Sequence, residues 1–374
     1  MSWSGGWILS ALGLVAFTAS LAWAAYQVTE KDLREGQQLY DQACAVCHGD
    51  DGKGVTTGLG VKTPLPDLAW CVFNSEEPDR DWALVIAKGG PAMGRSIDMP
   101  SFGDSLTEEQ IQQVIAYTRT FCPERWPRGD LNFPRPLVTG KAWPENEIVL
   151  SGAFGRKPDT EKNGLFSLTF EKRVGSRGQV EVKLPFELVD PPGEGTLGGI
   201  GDVEVGAKYV LYDSLKTLTI VSGGVDIGFP SGAKRRGIGK GTATVAPFLA
   251  AGKAWGDFVA QASLKFEQPF VERRAPKELL YNVAFMYPLS SFEREGGAIM
   301  TAQLELNGKT EWGLDDAKGF QLFITPGLRK GLTRSGVWAA AIGVQFPVTG
   351  VKDFEYRIMG YLLWEYPPWK WFDR

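Results

Sequence analysis

Cys44-Ala45-Val46-Cys47-His48 sets two thiols three residues apart, with an imidazole directly after the second. At that spacing both sulfurs can add to the vinyl groups of one haem while the imidazole reaches its iron. A redox dithiol or half of a zinc site would use the same pair of cysteines, but the glycine-rich Gly49-Asp50-Asp51-Gly52-Lys53-Gly54 that follows and the lack of a second histidine favour the haem. His48 is the single histidine of the 374-residue chain. That count excludes most zinc hydrolase sites and bis-histidine haem, and any Ser-His-Asp chemistry would have to run through His48. The sixth iron ligand must therefore be another residue type, and a thioether is the usual choice. Met93 and Met99 are both in range, and either Pro64 or Pro66 could offer the carbonyl that orients the His48 ring.

Two helices must position this motif. Thr29-Glu30-Lys31-Asp32 is a capping box opening a helix through Tyr40, with Leu33, Gly36, Gln37 and Tyr40 on one face. Thr107-Glu108-Glu109-Gln110 opens a second, with Ile111, Val114, Ile115 and Thr118 on one stripe and Tyr117 beside it. Two helices around such a loop resemble a class I c-type cytochrome, over residues 26–125. In that family the first and last helices cross at a small residue and an aromatic one, which Gly36 and Tyr117 resemble. Met99-Pro100-Ser101-Phe102 matches the family's M-P-x-F pattern, so the resemblance implies Met99 as the distal ligand, with Met93 in reserve. It also implies one covalent haem c held by Cys44 and Cys47, and an electron carrier serving a periplasmic redox partner. The remaining cysteines, Cys71 and Cys122, form either one disulfide closing the domain or two free buried thiols.

Around this domain the chain changes texture twice. Trp7 to Ala24 is an apolar run ending in Ala22-Trp23-Ala24, read as a secretory signal peptide over 1–24, with an uncleaved anchor as the alternative. Residues 126–146 are proline-rich and carry no helical or strand period, which reads as an ordered, extended linker. From Glu147 onward, runs of roughly 10 residues alternate apolar and polar between turn residues, about twelve of them to the end of the chain. One such run sets Val180, Val182, Leu184, Phe186 and Leu188 against Glu181, Lys183, Pro185 and Glu187. A second sets Val203, Val205, Ala207, Tyr209 and Leu211 against Asp202, Glu204, Gly206 and Lys208, and a third sets Phe258, Ala260, Ala262, Leu264 and Phe266 against Val259, Gln261, Ser263, Lys265 and Glu267. Run length, a two-sign polar face and terminal aromatics (Phe186, Phe229, Phe270, Trp312, Trp364, Tyr366) predict a transmembrane barrel over 147–374 rather than a soluble sandwich.

The expected fold is multidomain: an all-α c-type cytochrome domain followed by an antiparallel up-and-down β-barrel. Gly199-Ile200-Gly201-Asp202-Val203, Lys208-Tyr209, Gly228-Phe229-Pro230-Ser231-Gly232 and Gly237-Ile238-Gly239-Lys240-Gly241 resemble outer-membrane barrels of the meta-pathway phenol-degradation type, which implies passage of a small solute. The last of these is not a phosphate loop, because glycine follows Lys240 where Ser or Thr is needed. The order of signal, C-x-x-C-H domain and barrel is similar to fused cytochrome-porin iron oxidases, although no residue favours ferrous iron. With 40 basic and 44 acidic side chains the net charge is -4, which argues against a nucleic-acid partner.

The expected function is one-electron transfer by a haem at the periplasmic mouth of an outer-membrane pore, coupled to passage of a small donor or acceptor, molecule or ion. The alternatives are a non-redox transporter with the cytochrome as plug or docking module, and a soluble periplasmic carrier with a β-sandwich. Glu181, Glu187, Glu204, Asp226, Glu267 and Glu305 are the carboxylates expected to face the lumen.

Overall fold

In the computed structural model, residues 28–368 are described, apart from 56, 57, 62, 124, 157–161, 190–194, 316 and 351–353. The signal segment therefore lies outside the described residues. A helical unit comes first: α1 (Glu30–Ala43), α2 (Ala45–His48), α3 (Cys71–Glu76), α4 (Asp79–Lys88) and α5 (Glu108–Arg119). Both capping boxes form, Thr29 with Asp32 and Thr107 with Gln110, which satisfies backbone donors that each helix start would otherwise strand. Helices α1 and α5 cross where Gly36 meets the backbone of Gln113 and the Cβ of Tyr117. A side chain at Gly36 would collide with the Gln113 carbonyl, so only glycine allows this approach. Tyr40, Tyr117 and Phe121 then pack edge-to-face, with ring centroids 5.2–5.4 Å apart. A disulfide joins Cys71, at the start of α3, to Cys122, just after α5, with 5.0 Å between their Cα atoms.

The second unit is one closed antiparallel sheet. Its strands are β1 (Glu147–Arg156), β2 (Lys162–Val174), β3 (Gly178–Val189), β4 (Leu197–Ile200), β5 (Val203–Ser214), β6 (Thr219–Phe229), β7 (Thr244–Trp255), β8 (Phe258–Pro269), β9 (Lys277–Pro288), β10 (Met300–Trp312), β11 (Gly319–Gly331), β12 (Trp338–Pro347) and β13 (Tyr356–Glu365). Both β4 and β5 pair with β3 and follow one another across Gly201-Asp202, so they are two pieces of one strand and the wall has twelve. Each strand pairs with its sequence neighbours, and β1 with β13 closes the ring. Closure leaves no edge with unpaired backbone groups, a condition for any sheet in lipid.

The alternation read from the sequence sorts onto the two faces of this wall. Leu150, Leu184, Tyr209, Leu211, Leu249, Leu264, Ile342 and Leu362 all point outward and are exposed. The residues that alternate with them along each strand are mostly small or polar and turn inward. Contiguous exposed apolar surface of this extent suits lipid rather than water. Aromatics ring both ends: Trp255, Phe258, Tyr287, Trp338 and Trp364 at the end where the chain enters, Phe186, Phe229, Phe270 and Trp312 at the other. Tyr366 does not belong to the girdle. It is buried, stacks on Phe170 and donates its hydroxyl hydrogen to the Glu171 carbonyl, because the strand has ended at Glu365 and the chain turns inward. No helix among the described residues is long and apolar enough to cross a membrane, which leaves the strands to do so.

Leu264 lies near the middle of β8 and faces out. In phospholipid vesicles Leu264→Arg is expected to destabilise the barrel by about 2–4 kcal/mol, whereas an exposed leucine of a soluble sandwich would tolerate the change. Urea unfolding followed by tryptophan fluorescence measures the difference.

Candidate functional site

The C-terminal turn of α1 leads directly into the motif. The Cys44 N–H donates to the Tyr40 carbonyl at 2.8 Å, and the His48 N–H donates to the Cys44 carbonyl at 2.9 Å. This single turn gathers Cys44, Cys47 and His48 on one short segment. The following loop folds back on it, with Gly54 N–H donating to the His48 carbonyl and Val55 N–H to that of Cys47. Tyr40 fixes the same loop by donating its hydroxyl hydrogen to the Gly49 carbonyl at 2.8 Å. Residues 53–55, 58–61 and 63–65 line a cavity of about 440 Å³ beside this turn.

The chemistry of these groups fits a covalent haem. Cys44 and Cys47 are unpaired thiols, and burial, with Cys47 beside it, pushes the Cys44 thiol up to about 11. Burial lowers the His48 pKa, which favours the neutral imidazole that a metal needs. Its Nδ1 is buried with no partner among the described residues, so neither Pro64 nor Pro66 accepts from it.

The two methionines part company. Met99 packs into the cluster that holds Cys44, Ala45, Tyr40, Leu68 and Ile111. Its loop is pinned to the end of α4, since Gly90 N–H donates to the Met99 carbonyl at 3.0 Å and Phe102 N–H to that of Ile86 at 2.9 Å. Met93 is fully buried elsewhere. Its sulfur lies where a Cβ at Gly296 would come within 2.9 Å, so it packs against the barrel connection between β9 and β10.

The helical unit sits at the barrel end with the short turns 175–177, 215–218 and 256–257. Lys88 Nζ donates to the Glu293 carbonyl at 3.2 Å, Arg80 stacks on Phe292, and Asn146 Nδ2 donates to Glu76 at 2.6 Å. Arg173 of β2 lies over both Trp126 and Trp143, at 4.9 and 5.0 Å from their ring centroids.

The proline-rich segment is more than a spacer. Residues 131–146 enter the barrel, turn near the middle of the wall and return to begin β1. Leu131, Phe133 and Trp143 form a buried cluster with inward Val210, Ile220, Ala250 and Ala254. Arg135 pairs with Glu147 and Glu171, and its carbonyl accepts from the Tyr361 hydroxyl at 2.6 Å. At the innermost point the fully buried Glu305 carboxylate accepts from the N–H groups of Leu137 at 2.6 Å, Val138 at 3.2 Å and Thr139 at 2.8 Å, and from the Thr139 hydroxyl at 2.7 Å. Gly327 and Gly343 leave room there for Leu137, and a side chain at either would strike it. On the return, Lys208 Nζ donates to the carbonyls of Lys141 and Trp143, and Ser222 Oγ to that of Ala142.

Of the expected lumen carboxylates, Glu204 and Asp226 flank Lys265, Glu267 pairs with Lys240, and Glu305 holds the inserted segment. The inserted segment itself is absent from the sequence reading. Its signal is an excess of large apolar residues, Leu131, Phe133, Leu137 and Trp143, in a stretch that reads as an ordered, extended linker.

Residues 31–117 match the family described as cytochrome c oxidase, cbb3-type, subunit III. The helical unit is a cytochrome c domain. It is similar to the gluconate 2-dehydrogenase cytochrome c subunit of Pantoea cypripedii, 30% identical over 94 residues that are 24% of this chain and 20% of that one. It is also similar to the thiosulfate dehydrogenase of Stutzerimonas stutzeri, 31% identical over 98 residues, 26% of this chain and 30% of that one. The chain thus spans less than a third of the length of these relatives, and the match is confined to the cytochrome domain. The barrel is similar to an outer membrane channel from Pseudomonas putida F1, with a TM-score of 0.45, 13% identity, and coverage of 62% of this chain and 99% of that one. The KdgM porin follows, with a TM-score of 0.40, 11% identity, and coverage of 59% and 99%.

Two expectations follow from the cytochrome–barrel contacts. Glu305→Ala leaves three backbone donors of the inserted segment without their acceptor, at about 2 kcal/mol of local stability. Amide exchange at 137–139 should rise about thirtyfold while the strand amides stay protected, as mass spectrometry can resolve.

Burial raises the half-buried Glu76 carboxyl to about 8, against the lowering effect of Arg173 and the Asn146 hydrogen bond and with Glu77 and Glu365 adding to the rise. The docked state therefore retains a proton that the unfolded chain releases near its ordinary value of 4.5. Stability should fall as pH rises between those two values, and Glu76→Gln should flatten that slope in thermal melts.

Proposed function

We propose that this chain is an outer-membrane cytochrome–barrel fusion that transfers single electrons at the periplasmic mouth of its barrel, to or from a small donor or acceptor passing through the lumen. One haem c would be joined to Cys44 and Cys47 and held at its iron by His48 and Met99. When bound it supplies reversible one-electron chemistry at a potential raised by thioether ligation. The chain's own residues bury the ligands, keep His48 neutral and hold the methionine loop against α4.

The observation that carries the coupling is the inserted segment. Residues 131–146 occupy the half of the lumen nearest the cytochrome domain and are covalently continuous with it. Any solute moving through the barrel must displace a strand of chain that Glu305, Arg135 and Lys208 hold on the barrel side and that the Glu76–Asn146 contact holds on the cytochrome side. Even strand number returns both barrel ends to one side, which in bacterial outer-membrane barrels is the periplasm, and a periplasmic electron carrier then reaches the domain directly.

Met99→Ala should lower the reduction potential and alter the haem spectrum, while Met93→Ala should leave both as they are. The converse result would move the ligand to Met93. The coupling is tested with the holoprotein in liposomes. Haem reduction by a small permeant reductant outside, its absence with an impermeant one, and a current in planar bilayers that differs between oxidised and reduced protein support it. Equal currents in both redox states together with no haem reduction would leave a transporter whose cytochrome only docks.

A further inference from the structure

At the barrel end away from the cytochrome domain, two neighbouring connections carry five exposed cations. Lys234, Arg235 and Arg236 stand on a short turn between β6 and β7, and Arg273 and Arg274 on the turn between β8 and β9. Phe270 N–H donates to the Ala243 carbonyl at 2.9 Å, Val271 N–H to the Thr242 hydroxyl at 3.1 Å and Arg274 Nη1 to the Gly241 carbonyl at 2.7 Å. These bonds stitch the two turns into one surface. The first turn is also anchored within the lumen. Asp202 accepts from the N–H groups of Gly232 and Lys240 at 2.9 and 2.6 Å, Ile238 is buried, and Lys240 pairs with Glu267. The cations at 234–236 are thereby held outward on a fixed frame.

Among the described residues these cations lack counter-ions. Lys234, Arg235, Arg236 and Arg273 have no ion pair among the described residues, and Arg274 has only the Gly241 carbonyl. The one acid on these two turns, Glu272, is already engaged by Lys277 at 2.9 Å and Gln268 at 3.1 Å. Directly below, Phe229 and Phe270 close the outward faces of β6 and β8 at 47% and 70% exposure, and Trp312 continues the ring on β10. Aromatics of this kind mark the boundary of the hydrocarbon, so the cations stand at the height of lipid headgroups. Arginine forks suit phosphate oxygens, and each cation near an anionic surface strengthens binding severalfold.

We infer that this flank of the rim binds the phosphorylated headgroup of an anionic membrane lipid, with Arg235, Arg236 and Arg273 as its main donors. The inference rests on the reading of the barrel as lipid-embedded.

The test uses the full holoprotein in phosphatidylcholine nanodiscs doped with bis-phosphorylated lipid A, with retained lipid counted by native mass spectrometry. The wild type should retain it, and Arg235→Gln/Arg236→Gln/Arg273→Gln should bind it about a hundredfold more weakly, with an unchanged melting point in neutral lipid. Lys216→Gln, at the opposite end of the same flank, should have no effect. Equal retention by the triple variant or of dephosphorylated lipid A overturns the inference, as does full displacement by inorganic phosphate at equal concentration, which would make free phosphate the ligand. Failure to enter neutral nanodiscs at all would instead remove the lipid-embedded barrel, and the inference with it.

Discussion

The Glu305 carboxylate is the innermost point at which barrel and inserted chain hold one another. Fully buried, it accepts four hydrogen bonds from residues 137–139. A carboxylate buried beneath this segment would cost several kcal/mol without such donors, so the three N–H groups and the Thr139 hydroxyl are what make its burial tolerable. The dependence is mutual. Leu137, Val138 and Thr139 turn at mid-wall and have no strand to pair with, so their N–H groups need the carboxylate. With this contact fixed, the two arms of the segment are fixed too, one leading back to the cytochrome domain and the other to β1. The domain's seat at the mouth is held by contacts of its own, Lys88 with the Glu293 carbonyl, Arg80 over Phe292 and Glu76 with Asn146.

Charge inside the wall serves placement more than stability. Arg135 faces Glu147 and Glu171, and Lys208 reaches two carbonyls of the returning arm. Such desolvated groups gain little net free energy over apolar replacements, yet each loses heavily when its partner is absent. They therefore reject a shifted register of the inserted chain. On the far side of Glu305 the pairs run between wall residues, Lys183 with Glu204 and Lys265 with Asp226. Those pairs leave that half of the lumen polar without involving the inserted chain.

How much of this was legible in the sequence depends on the range of the interaction. The motif at 44–48, both capping boxes and the twelve-strand alternation are local patterns with a fixed period, and the corresponding elements stand where those patterns fall. The break at Gly201-Asp202, which splits one strand into β4 and β5, is a local glycine effect that periodicity overlooks. Tyr366 continued the alternation numerically but lies past the last paired residue, so its side chain answers to Phe170 and Glu171 rather than to lipid. The insertion of 131–146 is set by contacts more than 100 residues away in sequence, such as Gln261 with Pro134 and Glu305 with Thr139. No period announces contacts of that kind. Met93 and Met99 differ for the same reason, since what removes Met93 from the cytochrome interior is Gly296 on a distant connection.

The geometry also bounds how the two units can act together. Under the proposed single haem at the mouth, an apolar band of about 25 Å separates the redox centre from the far side, so only transport of matter would carry a redox change across the wall. Residues 131–146 lie within the lumen and are attached on both sides. On the barrel side the attachments are charged, buried and numerous. On the cytochrome side Asn146 meets Glu76, Arg173 lies over Trp126 and Trp143, and just before the segment Arg128 and Asp130 join Asp79 and Arg119 in a partly buried charge cluster. The segment is therefore fastened by charge at both ends, and the proposed passage of a solute would have to loosen its contacts with the wall as well as those with the cytochrome domain.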